Sequence, residues 1–510
     1  MINEKKSLGL CSIISIQIFA MFPEYFVSIS LLYLLTVIFL IVYSVYSLIL
    51  QKAISESIAL ILFLTCCLLI NDDLTTFNFL TFSNSIVNDY FGVFTKFVIC
   101  FVAIFFFIIV GNELKYYNLT SFEFLLIILF AVLGLMLLCS SNDLLTSYLF
   151  IELFSLSCYV LAAFKKTSNY SIEGSIKYFV TGSVSSAFFL LGSSYVYGIS
   201  GTINFADLND LYNLIDDSIL ITNLDYSIIE IGLALILFSL FIKLSLAPFH
   251  LWSLDVYEGS PTSSTFFFAV ITKLSVFVLM TRICYLSLSN LNNEWQFYTV
   301  WVGVFSIFVG SFGGLRQRKL KTLLAYSSIS HMGYALVAFS TYTFEGLQMF
   351  LFYLIVYMIS GLCVWSIALI LRPHKKISPN KKNRELADFV LLKNSNRMVV
   401  FSFALAMFSI AGIPPMIGFL AKVNIFLSLV GVSFNVLAVL VILFSVISTF
   451  YYIRIIKILY FENMLVGKLY YPIVTKKIAI TGFFLFLLIF LFLCPTILYL
   501  NIYKTIFSIF

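Results

Sequence analysis

Five ionisable side chains stand inside stretches made otherwise of apolar residues. Glu152 lies in LLTSYLFIELFSLSCYV, and Lys177 follows in SIEGSIKYF. Lys243 and Lys273 both belong to FSLFIKLSLAPFHLWSLDVYEGSPTSSTFFFAVITK, and Lys422 closes AGIPPMIGFLAK. A charged residue at the centre of a membrane helix costs ~2.5–3.5 kcal/mol on an insertion scale. Five of them facing lipid would cost on the order of 10 kcal/mol, so they must be paired, neutral or hydrated inside a bundle. Burial disfavours the charged form of an ammonium, and a neighbouring carboxylate favours it. A lysine with a movable glutamate partner can therefore alternate between holding and releasing a proton. Glu152 with Lys177 is expected to be such a pair. Lys243, His250, Lys273, His331 and Lys422 would extend the row, with water between them.

Each candidate also has a plainer role. Lys177 lies near a helix start and could snorkel to the interface. His250 could bond backbone freed at a break, and His331, among Ser327, Ser328 and Ser330, could be packing. Glu24 sits where a carboxylate suits a helix dipole and is given no further role. Lys243, Lys273 and Lys422 are hardest to explain in this way, because each lies well inside an apolar stretch.

The elements that hold these groups follow from composition. The chain is 61% hydrophobic and 11% charged over 510 residues, with mean hydropathy +1.06. Soluble domains are about a quarter charged, so this is an all-α polytopic membrane protein. A spanning helix needs ~20 apolar residues. Stretches near that length occur at 22–48, 54–70, 91–111, 122–140, 144–164, 173–198, 228–251, 262–286, 296–314, 322–340, 345–371, 398–429, 433–459 and 476–500, which is about 14 transmembrane helices. Pro248 removes a donor just after Lys243, and Pro414 with Pro415 does the same before Lys422. Helices 7 and 12 are thus expected to be broken. Broken backbone at that depth is tolerated only inside protein or along a wet cavity.

Charge in the connections sets orientation. One set carries Lys52, Lys115, Lys165 and Lys166, Arg316 to Lys321, Arg372 to Arg397, and Arg454 to Lys477. The alternate set carries Asp72, Asp73 and Asp89, then Asp143, then Asp207 to Asp225, then Arg282 with Glu294, then Glu345. The turn at Asp255 and Glu258 is the neutral member. Both termini are therefore expected on the side opposite the basic loops. The polar loop 372–397 is expected to be solvated, with a short surface helix around Arg384 to Leu392. The small net charge of +6 is spent on topology and does not point to nucleic acid. Nine scattered cysteines without a CxxC, and three dispersed histidines (His250, His331, His374), argue against iron–sulfur, haem or zinc sites.

The sequence also repeats at an offset near 175. CYVLAAF (158–164) matches GYALVAF (333–339), YSIEG (170–174) matches YTFEG (342–346), and the two Pro breaks follow in the same order. The copies start five helices apart, which makes two inverted five-helix repeats, an arrangement that puts ion sites near the midplane. Four regions result: 1–121, a three-helix segment; 122–286, the first repeat; 287–460, the second; and 461–510, the last helix.

The segments FIKLSLAPFHLWSLDVYEGSPT, KTLLAYSSISHMGYALVAF, AGIPPMIGFLAK, SIEGSIKYF and IELFSLSCYVLAAF together resemble the antiporter-like subunits of proton-pumping NADH:quinone oxidoreductase, respiratory complex I. Within that family they are most similar to the subunit 2 branch, called subunit N in bacteria. The resemblance runs from about Pro23 to about Tyr460. It implies fourteen helices and a proton-translocating role without a redox centre in this subunit; NADH, FMN, iron–sulfur clusters and ubiquinone belong to the assembled complex. It carries function onto Glu152, Lys177, Lys243, Lys273 and Lys422. Lys422 stands where the subunit 4 type has glutamate, and the long lateral helix of the subunit 5 type is not seen after helix fourteen. Ser327 aligns with Glu152 and Met349 with Lys177, so the two halves are not chemically equivalent. Implied partners are the other complex I membrane subunits, notably subunits 4 and 4L, and lipids such as cardiolipin. The implied location is the mitochondrial inner membrane, with a bacterial plasma membrane as the alternative. A subunit of a multi-subunit cation/proton antiporter, or a non-conducting structural subunit, would share the fold.

Overall fold

The computed structural model describes residues 21–41, 47–70, 79–114, 122–216, 223–371, 385–390, 392–462 and 475–508. The chain is helical because apolar backbone in lipid must satisfy its own hydrogen bonds. In order, the helices are α1 (Phe22–Ile41), α2 (Ser47–Ile70), α3 (Tyr90–Glu113), α4 (Glu123–Cys139), α5 (Leu144–Ala163), α6 (Asn169–Ser200) and α7 (Phe205–Asp216). Then follow α8 (Asn223–Leu244), α9 (Leu251–Gly259), α10 (Thr262–Ser287), α11 (Asn292–Leu315), α12 (Leu320–Phe339) and α13 (Phe344–Ile370). The last five are α14 (Arg397–Ala411), α15 (Ile417–Gly431), α16 (Asn435–Tyr460), α17 (Thr475–Leu493) and α18 (Thr496–Phe507). Among the described residues, nine helices are long and apolar enough to cross a membrane, or ten if α17 and α18 form one bent span.

The bundle has a clear inside. All of the apolar window of α13 is buried, and 94% of that of α10, against 28% for α6 and α16. α10 and α13 thus form the centre, while α6 and α16 lie at the periphery. α10 carries Lys273 and α13 carries Tyr357, whose ring lies under that ammonium, so a charged group sits at the centre of the bundle.

Both expected breaks are present. α8 ends at Leu244, Ser245 takes φ +58°, the Ala247–Pro248 bond is cis, and α9 begins at Leu251. α14 ends at Ala411, Gly412 takes φ +80°, the Pro414–Pro415 bond is cis, and α15 begins at Ile417. Gly412 is required there, since a left-handed residue is costly for any side chain with a Cβ. α10 is continuous past Lys273 and closes in a π turn, Arg282–Ser287.

Other boundaries differ from expectation. The first two stretches, expected at 22–48 and 54–70, are divided earlier than the hydropathy suggested, with α2 already under way at Ser47. The last stretch, expected as one helix at 476–500, bends by 79° between α17 and α18. Pro495 sits at that bend and offers no backbone N–H to continue the helix. In the polar loop, Leu386–Phe389 forms a 3-10 turn, held by Leu386 N–H donating to the Arg318 carbonyl at 2.8 Å. Residues 372–384 and 391, with His374, lie outside the described residues, as do Asp72, Asp73 and Lys115 of the charge pattern.

On one end of the bundle a hairpin pairs Phe79–Thr81 with Ile86–Asn88, in the register Phe79 to Asn88. Its base bridges to Ser141, and Asn204 donates to Asp143 at 2.8 Å. Burial pushes the Asp143 carboxyl up from its ordinary value, and the Asn204 amide pulls it part of the way back.

Candidate functional site

Lys243 lies one residue before the end of α8, where the last carbonyls find partners beyond the helix, in Ser245, Leu246 and Trp252. Its Nζ donates to the Tyr159 hydroxyl at 3.2 Å and stands 5.6 Å from that ring's centroid. Glu152, two turns earlier on α5, acts electrostatically on Lys243. Glu152 Oε1 is buried and has no hydrogen-bond partner among the described residues. The break is braced by aromatics. Trp252 Nε1 donates to the Ile242 carbonyl at 3.1 Å, and its ring stacks on Tyr178 at 4.6 Å. Trp252 thus satisfies backbone at the break, and His250 also interacts with the Pro248 backbone there. His250 Nδ1 is buried without a partner among the described residues.

The second group is built around α12. His331 is buried, with Nδ1 at 2.6 Å from the Tyr353 hydroxyl and Nε2 at 3.1 Å from the Tyr452 hydroxyl. Lys273, mid-way along α10, is 5% exposed, and its Nζ has no hydrogen-bond partner among the described residues. It stands 5.6 Å from the Tyr357 ring centroid. Lys422 follows the second break, donates from Nζ to the Ala411 carbonyl at 2.7 Å, and lies 5.6 Å from the Tyr334 ring centroid. Lys273 and Lys422 both act electrostatically on His331. A cavity of about 280 Å³ opens beside Lys422, walled by Tyr334, Phe426, Val441 and Ser445.

The Nζ atoms of all three lysines make their contacts with other helices of the bundle. Each ammonium rests over a tyrosine face, which attracts a cation by about 0.5–2 kcal/mol depending on desolvation. The tyrosines thus do part of what hydration would do in water.

The expected Glu152–Lys177 pair is not formed. Lys177 Nζ bonds Glu173 Oε1 and Asp255 Oδ2, each at 2.7 Å, with its side chain 44% exposed. The helix register and two nearer carboxylates explain why. Tyr148 stacks on Phe189, and Ser171 Oγ donates to the Ala162 carbonyl, so α5 and α6 run antiparallel. Glu152 is then level with residues 181–185 on α6. Lys177 is roughly four to eight residues away, about 6–12 Å along the axis at ~1.5 Å per residue, and its ammonium is taken up by Glu173 and Asp255. Lys177 belongs instead to an edge cluster on α9, where Asp255 takes Lys177 and Glu258 takes Lys319. That pairing explains why the turn at Asp255 and Glu258 looks neutral in the charge pattern.

Two buried ion pairs escaped the sequence reading. Glu24 on α1 meets Lys96 on α3, with both side chains at most 4% exposed. Arg282 meets Asp89 at 2.6 Å and donates from Nε to the Cys139 carbonyl at 3.1 Å. Asp89 also accepts from Gly92 N–H at 2.9 Å and so caps α3. The available signal was that Glu24 and Lys96 carry opposite charge within apolar stretches of one segment, while Asp89 and Arg282 fall on the same side of the charge pattern.

Residues 141–448 match the family described as NADH:quinone oxidoreductase/Mrp antiporter, TM. The chain is 35% identical over 441 residues to NADH-quinone oxidoreductase subunit N of Pelagibacter ubique, covering 86% of this chain and 89% of that protein. It is 36% identical over 386 residues to NADH-ubiquinone oxidoreductase chain 2 of Marchantia polymorpha, covering 76% and 77%. Its fold is similar to a chain of respiratory complex I from Thermus thermophilus with bound Aureothin, with TM-score 0.76, 24% identity, and 94% and 98% of the two chains covered. It is also similar to a chain of the Mrp complex from Dietzia sp., with TM-score 0.77, 17% identity, and 96% and 97% covered.

Proposed function

Because the chain belongs to the NADH:quinone oxidoreductase/Mrp antiporter transmembrane family, we propose that it is the antiporter-like subunit N, or chain 2, of a proton-pumping NADH:quinone oxidoreductase. The identity of about a third with the N and chain 2 proteins, over most of both chains, supports that branch over the Mrp type, whose likeness is one of fold. The chain is a multi-pass membrane protein and works beside other membrane subunits, with subunits 4 and 4L and cardiolipin as candidate neighbours. Electron transfer from NADH through FMN and iron–sulfur clusters to ubiquinone belongs to other subunits. The mitochondrial inner membrane, with both termini away from the matrix, is the proposed setting.

The proton row consists of Glu152, Lys243, His250, Lys273, His331 and Lys422. One observation carries it: three ammonium groups lie in the bundle interior on tyrosine faces, two of them beside helix breaks and two of them sensed by one imidazole. Movement of Glu152 toward and away from Lys243 is the step by which this lysine would take up and release its proton. Lys177 stands outside this row, at the bundle edge. Sensitivity to charge at Lys273 separates a conducting subunit from a structural spacer. In the assembled enzyme reconstituted in vesicles, Lys273→Met should abolish the pH gradient and slow quinone reduction while assembly persists. Normal pumping in assembled Lys273→Met would reduce the chain to a scaffold.

A further inference from the structure

We propose that Tyr353, His331, Tyr452 and Tyr451 form a hydroxyl–imidazole relay that links the buried lysines Lys273 and Lys422 to the basic end of the bundle. This rests on the proton row above and adds three residues to it. Tyr353 and Tyr452 occupy the two nitrogens of His331, at 2.6 and 3.1 Å. The Tyr451 hydroxyl donates onward to Tyr452 at 3.4 Å. Tyr334 is 1% exposed and Tyr353 3%, while Tyr451 and Tyr452 are fully buried, so bulk water does not short-circuit the chain. Ser330 and Ser448 lie beside Tyr451, and Ser327 beside Tyr452. Tyr451 lies toward the basic end of α16. One turn beyond Tyr451 on α16, Arg454 donates to the Leu315 carbonyl at 3.2 Å, at the basic end of α11.

The chemistry follows from the imidazole. A neutral histidine has one N–H and one acceptor nitrogen, so one of its two tyrosine partners donates to it and the other accepts from it. In a transfer, one tyrosine O–H breaks as a new N–H forms on the acceptor nitrogen. The opposite N–H then breaks and its proton passes to the second hydroxyl oxygen. Each hydroxyl gives one proton and receives one, so no charge is left behind once the chain has moved and the ring has reset its tautomer. The groups that face His331 are the ammoniums of Lys273 and Lys422 and the rings of Tyr334, Tyr353, Tyr357 and Tyr452. The neutral imidazole, with one donor and one acceptor nitrogen, is the state that conducts. Ser327, at the position that aligns with Glu152, thus stands beside a hydroxyl chain where the first half has a carboxylate.

Tyr452→Phe tests the relay because it keeps the ring and removes only the hydroxyl. In the assembled enzyme in vesicles, coupled turnover should fall about tenfold or more, and its solvent deuterium effect should rise as proton delivery becomes limiting. Tyr285→Phe is the control: its hydroxyl donates to the Phe339 carbonyl at 2.8 Å, away from the row. If Tyr452→Phe does not assemble, Tyr353→Phe and Tyr451→Phe should show the same drop and the same isotope response. Unchanged turnover in these variants while Lys273→Met abolishes pumping overturns the relay and leaves the row standing. Unchanged pumping in both sets removes the row and the relay together.

Discussion

Lys422 Nζ lies over the Tyr334 ring at 5.6 Å from its centroid, and Lys243 holds the same separation from Tyr159. Tyr159 and Tyr334 are the tyrosines that match in CYVLAAF and GYALVAF. The ring contact is therefore made twice by corresponding residues, while the hydrogen bonds differ. Lys243 donates to its tyrosine's hydroxyl, and Lys422 donates to the Ala411 carbonyl freed at the break. Lys243 has a phenol hydroxyl that can both accept and donate a proton, and Lys422 has a carbonyl that can only accept a hydrogen bond.

That difference predicts unequal responses to loss of a hydroxyl. Tyr159→Phe keeps the cation–ring contact and removes the 3.2 Å hydrogen bond, so coupled turnover should drop by roughly three- to tenfold, as expected for losing about 1 kcal/mol of a hydrogen bond. Tyr334→Phe removes no bond to Lys422 and should leave turnover within about twofold. Initial rates of quinone reduction with a pH-sensitive dye inside the vesicles would measure both.

The position of Tyr159 is itself enforced by α6. A Cβ built on Gly182 would sit 1.7 Å from the Tyr159 hydroxyl oxygen. Gly182→Ala must therefore push the ring off Lys243, because the rest of Tyr159 is packed against Tyr178 at 4.7 Å. Coupled turnover should fall at least as far as in Tyr159→Phe. Gly198→Ala, on the same helix, meets nothing within 4 Å and should be silent.

Much of this was legible in the sequence, and the reason is length scale. Hydropathy reads the helices because burial in lipid acts on ~20 residues at once. Pro248 and Pro414–Pro415 mark the breaks because a missing donor is a local fact. Lys243, Lys273 and Lys422 stood out because charge in an apolar run is rare. Partners were another matter. Nothing in the sequence shows that Lys177 meets Glu173 and Asp255 and not Glu152, because that depends on how α5, α6 and α9 pack. Lys96 was overlooked because it lies near one end of its stretch, where a snorkelling lysine is unremarkable. Tyr353 and Tyr452 carry no sequence signal at all, since tyrosine is ordinary in an apolar helix. Only the fold brings them to the two nitrogens of His331.

The edge cluster on α9 gives a negative prediction. Lys177 shares two carboxylates, Glu173 and Asp255, and all three side chains are 44–60% exposed. Ion pairs of that exposure are screened by water and salt. Lys177→Gln should leave assembly and coupled turnover within about twofold of the parent, whereas Glu152→Gln should lose coupling. A strong defect in Lys177→Gln, with Glu152→Gln unaffected, would mean that the edge cluster, and not the buried glutamate, feeds Lys243.

Glu24 and Lys96 make the opposite case, because both are almost completely buried. Two charges in a low-dielectric interior attract strongly, yet most of that attraction only offsets the loss of their hydration. Removing one partner leaves the other charge stranded and costs about 3–5 kcal/mol, while replacing both with apolar side chains of similar size is often neutral. Lys96→Met should therefore lower the melting temperature of the purified complex and the yield of assembled enzyme, because α1 and α3 are held by this pair. Adding Glu24→Leu to Lys96→Met should recover most of both, since the stranded carboxylate is then gone. Coupled turnover per assembled enzyme should match the parent in the double variant, because the pair lies apart from Lys243, Lys273 and Lys422. If stability returns and pumping does not, the Glu24–Lys96 pair handles protons and the row has a branch in α1 and α3.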